Sequence, residues 1–324
     1  MKMTDAVVVG AGVIGLTTAV CLAEAGLDVA IWAERGPLQS TSAAASGLWV
    51  PGYTSDRELR WSLVGLTEFT ALLDDDHTGV RLGRGLGVTD LFDSPQEFHE
   101  HLPELELVDQ AELGDRFPLG WWSTVPLIDM PRYLAYLSRR FHEAGGTLVQ
   151  RHVDDLSTCL ETAPVVVNCT GVGAKHLADD DEVFPVRGQH VVVRNPGIDH
   201  WYMEGVESPF WTGFFPHGNK VLLAGVSQHH NWNLLPDPAD SESILERCAA
   251  AEPRLRDAEV LGHRVGLRAA RNKARLDVEH RPGGRIVHCY GHSGFGVSQS
   301  WGSAREIESL CTGVEEAPRE AVSP

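Results

Sequence analysis

Four apolar residues, Ala6 to Val9, run directly into Gly10-Ala11-Gly12-Val13-Ile14-Gly15. No other feature restricts the fold as much as this junction. An Ala- and Leu-rich segment follows to Gly26, a helix stop, and Asp28 to Trp32 is a second apolar run. Strand, glycine turn, helix and strand within about 30 residues make a βαβ unit. Gly10 permits the tight turn leaving the strand. Gly12 lets the backbone approach a pyrophosphate, and Gly15 lets the helix pack closely on the strand. The helix N-terminus at Val13 and Ile14 offers unpaired amides and a positive dipole end to phosphates. Glu34 lies 19 residues past Gly15, where a carboxylate accepts hydrogen bonds from ribose hydroxyls. A dinucleotide site is expected, and Glu34 disfavours a 2′-phosphate. The motif alone does not separate FAD from NAD.

The remaining composition narrows the class. A chain of 324 residues predicts two domains, and 43% hydrophobic with 22% charged residues is ordinary globular composition. The formal net charge of −18 repels nucleic acid and anionic membranes, so neither is an expected partner. Six scattered cysteines without a CxxC pair read as reduced, mostly buried thiols. His288, Cys289 and His292 lie close together but lack further ligands at zinc spacing, so no metal is expected. The N-terminal apolar run is short and broken by glycines, and no stretch of about 20 apolar residues exists. The last residues, EEAPREAVSP, read as a solvated tail. A cytoplasmic protein is the expectation.

Pro164 to Val167 repeats the buried-strand pattern and ends in Asn168-Cys169-Thr170-Gly171. Apolar or β-branched runs at Gln189–Arg194, Lys220–Gly225, Arg264–Arg268 and Arg285–Tyr290 predict further strands. Pro131–Ala144 and Ser241–Ala251 read as helices. No low-complexity linker interrupts the chain, which predicts that it passes between domains more than once.

The loop Ser40-Thr41-Ser42-Ala43-Ala44-Ala45-Ser46-Gly47-Leu48-Trp49 resembles the hydroxyl-rich loop of the D-amino-acid oxidase family. So do Val166-Val167-Asn168-Cys169-Thr170-Gly171, Gly266-Leu267-Arg268 and Tyr290-Gly291-His292-Ser293-Gly294-Phe295-Gly296. Glycine and sarcosine oxidases share some of these motifs. The resemblance implies an α/β fold with FAD held non-covalently in a Rossmann-type domain of residues 1–50, 131–180 and 285–324. It implies a mixed-sheet α+β substrate domain of residues 51–130 and 181–284. Thr41 and Ser42, aided by Arg35, would meet the phosphates. Gly47, Leu48, Val153, Thr170, Gly171 and Ser293 would complete the cofactor contacts. A final helix, Ser298–Cys311, is expected, and amides at Gly296, Val297 and Ser298 would face the pyrimidine edge of the flavin. Arg268 matches the family's carboxylate-binding arginine, with Arg271 and Arg275 as fallbacks, and the Gly294 carbonyl would accept from the substrate amine.

The sequence also departs from that family. Pro209-Phe210-Trp211-Thr212-Gly213-Phe214-Phe215-Pro216 stands where two tyrosines are expected, Val50 follows Trp49, and Ala269 follows Arg268. A pocket walled by Val50, Trp211 and Phe214 would favour a bulky apolar side chain or a substituent on nitrogen. Two of the four aromatic residues are expected to be plain core. The expected reaction is oxidation of a D-amino acid, with oxygen reduced to hydrogen peroxide. The alternatives are an N-substituted-glycine oxidase, a dehydrogenase or a non-catalytic flavoprotein. A homodimer is possible.

Overall fold

The computed structural model describes residues 4–52 and 54–313; the expected solvated tail lies outside them. The chain is α/β. Ala6–Val9 is the centre of a parallel five-stranded layer, with Val29–Ala33 on one side and Val165–Asn168 on the other. Thr147–Gln150 and Gly284–His292 complete it. The central strand is buried along its whole length and does not alternate, because both faces are covered. Ala6 and Val8 pack with Leu16 and Ala19 of the helix Val13–Glu24 and with Trp301 of the helix Gly296–Thr312. Val7 and Val9 pack on the opposite face against Leu156, Cys159 and Leu160.

A second, mixed layer continues the same sheet in the order Phe184–Arg194, Lys220–Val226, Phe210–His217, Trp201–Gly205, Val80–Thr89 and Leu119–Ile128. Its pairs are antiparallel except Val80–Thr89 with Trp201–Gly205. One strand of 22 residues, Val260–Arg281, joins the two layers. Its first half pairs with Phe184–Arg194 and its second with Gly284–His292. The sequence predicted only Arg264–Arg268. The extension escapes an apolar pattern because its charged residues pair along the strand, as Arg275 with Asp277 and Arg281 with Glu279.

The helix Asp56–Thr70 was not anticipated. Ser55 caps it by accepting from the Glu58 amide. It touches the final helix through glycines on both sides. A Cβ at Gly65 would stand 2.0 Å from Ser298 O, and one at Gly302 would stand 2.2 Å from Trp61 Cα. This contact fixes the height at which the final helix begins. The helix Pro238–Ala251 covers the outer face of the mixed layer around Phe214, Ile244 and Cys248. No helix among the described residues is long and apolar enough to cross a membrane.

Candidate active site

One cavity of about 660 Å³ runs from the first glycine turn to Arg268, along the line where the two layers meet. Gly10 opens it with φ +112°, and a Cβ there would stand 2.4 Å from Cys169 O. Gly15 packs on Gly10 so closely that its own Cβ would meet Gly10 O at 2.0 Å. Gly12 faces the open side, with only Ser42 Oγ within 4 Å of the missing Cβ, at 3.2 Å. The Val13 amide donates to Ser42 Oγ at 2.9 Å, so that hydroxyl caps the helix and keeps its own proton for a ligand. The Ile14 and Gly15 amides lack intrahelical partners by their position in the first turn. Glu34, Arg35 and Val153 line the outer end, where the Arg151 guanidinium lies 3.9 Å from the Trp32 ring centroid.

The turn after Val165–Asn168 forms the opposite wall. Gly171 has φ +58°. The Thr170 hydroxyl donates to Asn168 Oδ1 at 2.7 Å, and the Asn168 amide reaches His288 Nδ1 at 3.2 Å. The other His288 nitrogen meets Glu279 at 3.0 Å. Burial lowers the His288 pKa although Glu279 pulls the other way. The sequence placed Thr170 at the site. It gave no sign that His288 on the neighbouring strand, and Glu279 on the strand beyond, would hold the Asn168 side chain that orients it.

At the far end, Ser293 takes φ +50° and its amide donates to Ala269 O at 3.0 Å. Gly296 lines the cavity and begins the final helix, two residues earlier than predicted, with no side-chain cap over its amides. Val297 and Ser298 turn inward, and Ser298 Oγ accepts from the Val50 amide at 3.0 Å. Gly294 is exposed with nothing within 4 Å of a Cβ position.

Arg268 lies half-buried on the cavity wall, over Gly188 of the neighbouring strand. Burial lowers its pKa. Among the described residues no carboxylate pairs with it. Arg271 is held by Asp180 and Glu182, at 3.1 and 3.3 Å, and Arg275 by Asp277 at 2.8 Å. His190, paired in register with Arg264, bonds Ala44 O at 2.7 Å. Its pKa is pushed down to about 3 by burial and then by Arg268 and Arg264, so it stays neutral and donates.

Three expectations change. Phe214 does not face the site: strand alternation turns it to the outer face, stacked on Tyr202 under the helix Pro238–Ala251. Phe215 is inner core, Phe210 is exposed beneath Arg247, and only Trp211 stands half-buried on the inner side. The Thr41 hydroxyl is committed to Leu267 O and N, both at 3.2 Å, and ties the loop to the long strand instead of facing a phosphate. Gly47 and Leu48 lie outside the cavity lining, because the chain there pairs with Leu127 and Ile128; the Ile128 amide donates to Gly47 O at 2.7 Å.

Residues 5–310 match the family described as FAD dependent oxidoreductase. The chain belongs to that family. FAD is therefore the cofactor. The unpartnered Ile14 and Gly15 amides, the missing side chain at Gly12 and the carboxylate at Glu34 fit a dinucleotide that carries no 2′-phosphate. The chain is 42% identical to a D-amino-acid oxidase of Rubrobacter xylanophilus, over 94% of this chain and 95% of that one. It is 43% identical to a D-amino-acid oxidase of Streptomyces coelicolor, over 95% and 97%. A solved glycine oxidase from Geobacillus kaustophilus superposes with a TM-score of 0.82 at 20% identity, covering 97% of this chain and 96% of that one. That last likeness shows the fold.

Proposed function

We propose that the chain oxidises the amine-bearing carbon of a D-amino acid with a bulky apolar side chain. FAD, when bound, supplies the hydride acceptor at flavin N5. The observation that carries this reading is Arg268, a half-buried guanidinium on the cavity wall, left without a carboxylate partner among the described residues. A charge in that setting calls for an anionic partner. A bidentate carboxylate fits its fork.

Arg268 would hold the carboxylate and Gly294 C=O the amine, so that the Cα–H bond points at the cofactor. The gain is one of orientation and water exclusion. The uncapped amides from Gly296 would stabilise negative charge arriving at the pyrimidine edge. Neutral His190 adds no second positive charge beside Arg268. The amino acid loses two electrons and two protons and becomes an imine. Water converts the imine to an oxo acid and ammonia, and oxygen takes up the electrons and protons as hydrogen peroxide.

A second reading is an N-alkyl glycine, whose oxidation would release a modified amine; it would need Val50 and Trp211, which lie outside the cavity lining, to wall the substrate. Anaerobic mixing with each candidate tests both. Bleaching of the flavin absorbance by a D-amino acid is the expected result. Bleaching by N-alkyl glycines alone selects the second reading, and bleaching by neither sinks both.

A further inference from the structure

The segment between Gln228 and Asp237 crosses the open side of the cavity. It leaves the short strand Gln228–His229 and ends at Asp237, which caps the helix Pro238–Ala251. Trp232 and Leu234 from this segment line the cavity, yet each remains 46% exposed. The Trp232 ring stands 6.4 Å from the ring of His176, at an interplanar angle of 30°. His176 follows the Thr170–Gly173 turn on the opposite wall, so this contact bridges the cavity mouth.

The segment is held firmly. Asn231 Oδ1 accepts from the Asn233 amide and Asn233 Oδ1 from the Leu235 amide, both at 2.9 Å. Beneath it lies Arg187, 1% exposed. Its Nε donates to Asn233 O and one terminal nitrogen to Leu235 O, each at 2.9 Å. The other terminal nitrogen meets Gln228 and Asp240, at 2.9 and 2.8 Å. Burying a guanidinium is costly unless its donors are satisfied, and here they are satisfied largely by one loop. A solvated connection needs neither that anchor nor two large apolar side chains. Their half-exposed faces are covered only when the cavity is filled.

We propose that residues 228–237 form a strap across bound FAD, that Trp232 packs on the cofactor from the substrate half of the molecule, and that Arg187 positions the strap. A cofactor seated between the glycine turn and the Thr170–Gly173 turn must push Trp232 off His176 to leave. The strap then acts on cofactor release.

Flavin-free wild type, W232A, W232F and R187K, titrated with FAD by fluorescence quenching and then diluted to read release, test this. Covering half of an indole corresponds to roughly 10- to 100-fold in affinity, so W232A should weaken FAD by that factor, mainly through faster release. W232F should stay within a few-fold of wild type. R187K should resemble W232A, and the W232A apoprotein should melt with wild type because Trp232 is half-exposed. Equal FAD affinity and release in wild type and W232A overturn the strap. So does a loss of affinity matched by a loss of apoprotein stability, which would report a fold defect. A wild type that binds no FAD would count against the cofactor itself.

Discussion

The Arg268 guanidinium lies directly over Gly188: a methyl group at position 188 would stand 2.8 Å from both of its terminal nitrogens. Gly188 faces Gly266 in register; the missing side chain at 188 clears a shelf for the arginine, while the one at 266 makes room for Thr41 and Ala44. The obstacle to a Cβ at 188 is the far end of a flexible side chain and not backbone. Gly188→Ala should therefore move Arg268 without unfolding the sheet. The expected result is a KM about tenfold higher, with the melting temperature and FAD content of wild type. An unchanged KM would show that Arg268 does not need this shelf.

Removing the charge is the harsher version. Arg268→Ala leaves a substrate carboxylate unpaired in a partly dry site, which costs roughly 2–5 kcal/mol, or about one and a half to three and a half powers of ten in kcat/KM. Arg268→Lys should recover only part, because an ammonium lacks the planar fork. FAD should stay bound in both. Near-normal kinetics in Arg268→Ala would remove the anchor from this position. Arg271 and Arg275 could not replace it as they stand, since each already holds a carboxylate.

The cofactor end has its own test. Gly12 meets only Ser42 Oγ, so the protein itself tolerates some bulk there. Gly12→Val should fold yet purify without flavin, because a branched side chain occupies the approach of the pyrophosphate. Gly10→Val should instead fail to fold, with φ +112° and Cys169 O at 2.4 Å from its Cβ. Flavin absorbance and the circular dichroism of the two variants separate the cases. A yellow Gly12→Val protein would contradict the placement.

His190 makes the stability depend on pH. Its folded pKa is about 3 against an ordinary 6.5, so between those values the unfolded chain binds a proton that the folded chain refuses. Stability is then complete above pH 6.5 and is lost as pH falls toward 3. At pH 5 the effect is about 2 kcal/mol. His217, pushed down to about 4 chiefly by burial, with Arg81 and Lys220 adding to it, acts in the same direction. Urea midpoints of wild type should fall from pH 7 to pH 5, and His190→Asn should fall less. Equal slopes for the two proteins would mean that His190 is protonated when folded.

How far the sequence could be read follows from which signals are local. The glycine turn, its helix and Glu34 are contiguous, and their chemistry is visible in the letters alone. The Gly-Leu-Arg setting singled out Arg268, which the fold places on the cavity wall; its shelf at Gly188 left no sign, because packing between residues 80 positions apart marks neither. Phe214 was misplaced because the run Phe210–Phe215 is aromatic on both faces, so alternation could not be phased before the partners of the strand were known. The Thr41 hydroxyl failed for a similar reason: a backbone partner at Leu267 outcompetes a ligand, and backbone partners are invisible in sequence. The long strand Val260–Arg281 hid behind paired charges, and nothing in the letters of residues 228–237 places Trp232 and Leu234 at the cavity.

Substrate preference is the last and most exposed prediction. With Phe214 on the outer face, the proposed apolar wall would rest on Val50, which Ser298 fixes, and on Trp211, whose indole N–H donates to Ser227 Oγ at 3.3 Å; neither lines the cavity itself, so both would have to meet the substrate beyond its edge. Each buried CH₂ contributes about 0.8 kcal/mol, so two or three extra methylenes should raise kcat/KM by roughly one to two powers of ten over D-alanine. Trp211→Ala should erase most of that advantage while leaving D-alanine turnover nearly unchanged. An acidic side chain would face the same wall at a desolvation cost of several kcal/mol unless a second cation reaches it. His217 cannot supply one, being held neutral against Ser46 O at 2.9 Å. Arg264 is the group to watch: it is half-buried, shares a strand face with Arg268, and among the described residues has no carboxylate partner, only Ala43 O at 3.3 Å. A panel of D-alanine, D-aspartate, D-phenylalanine and D-leucine, run on wild type, Trp211→Ala and Arg264→Ala, decides the matter. The large apolar substrates should lead in wild type alone. Should D-aspartate lead and Arg264→Ala abolish that lead, the pocket is cationic and the apolar reading is wrong.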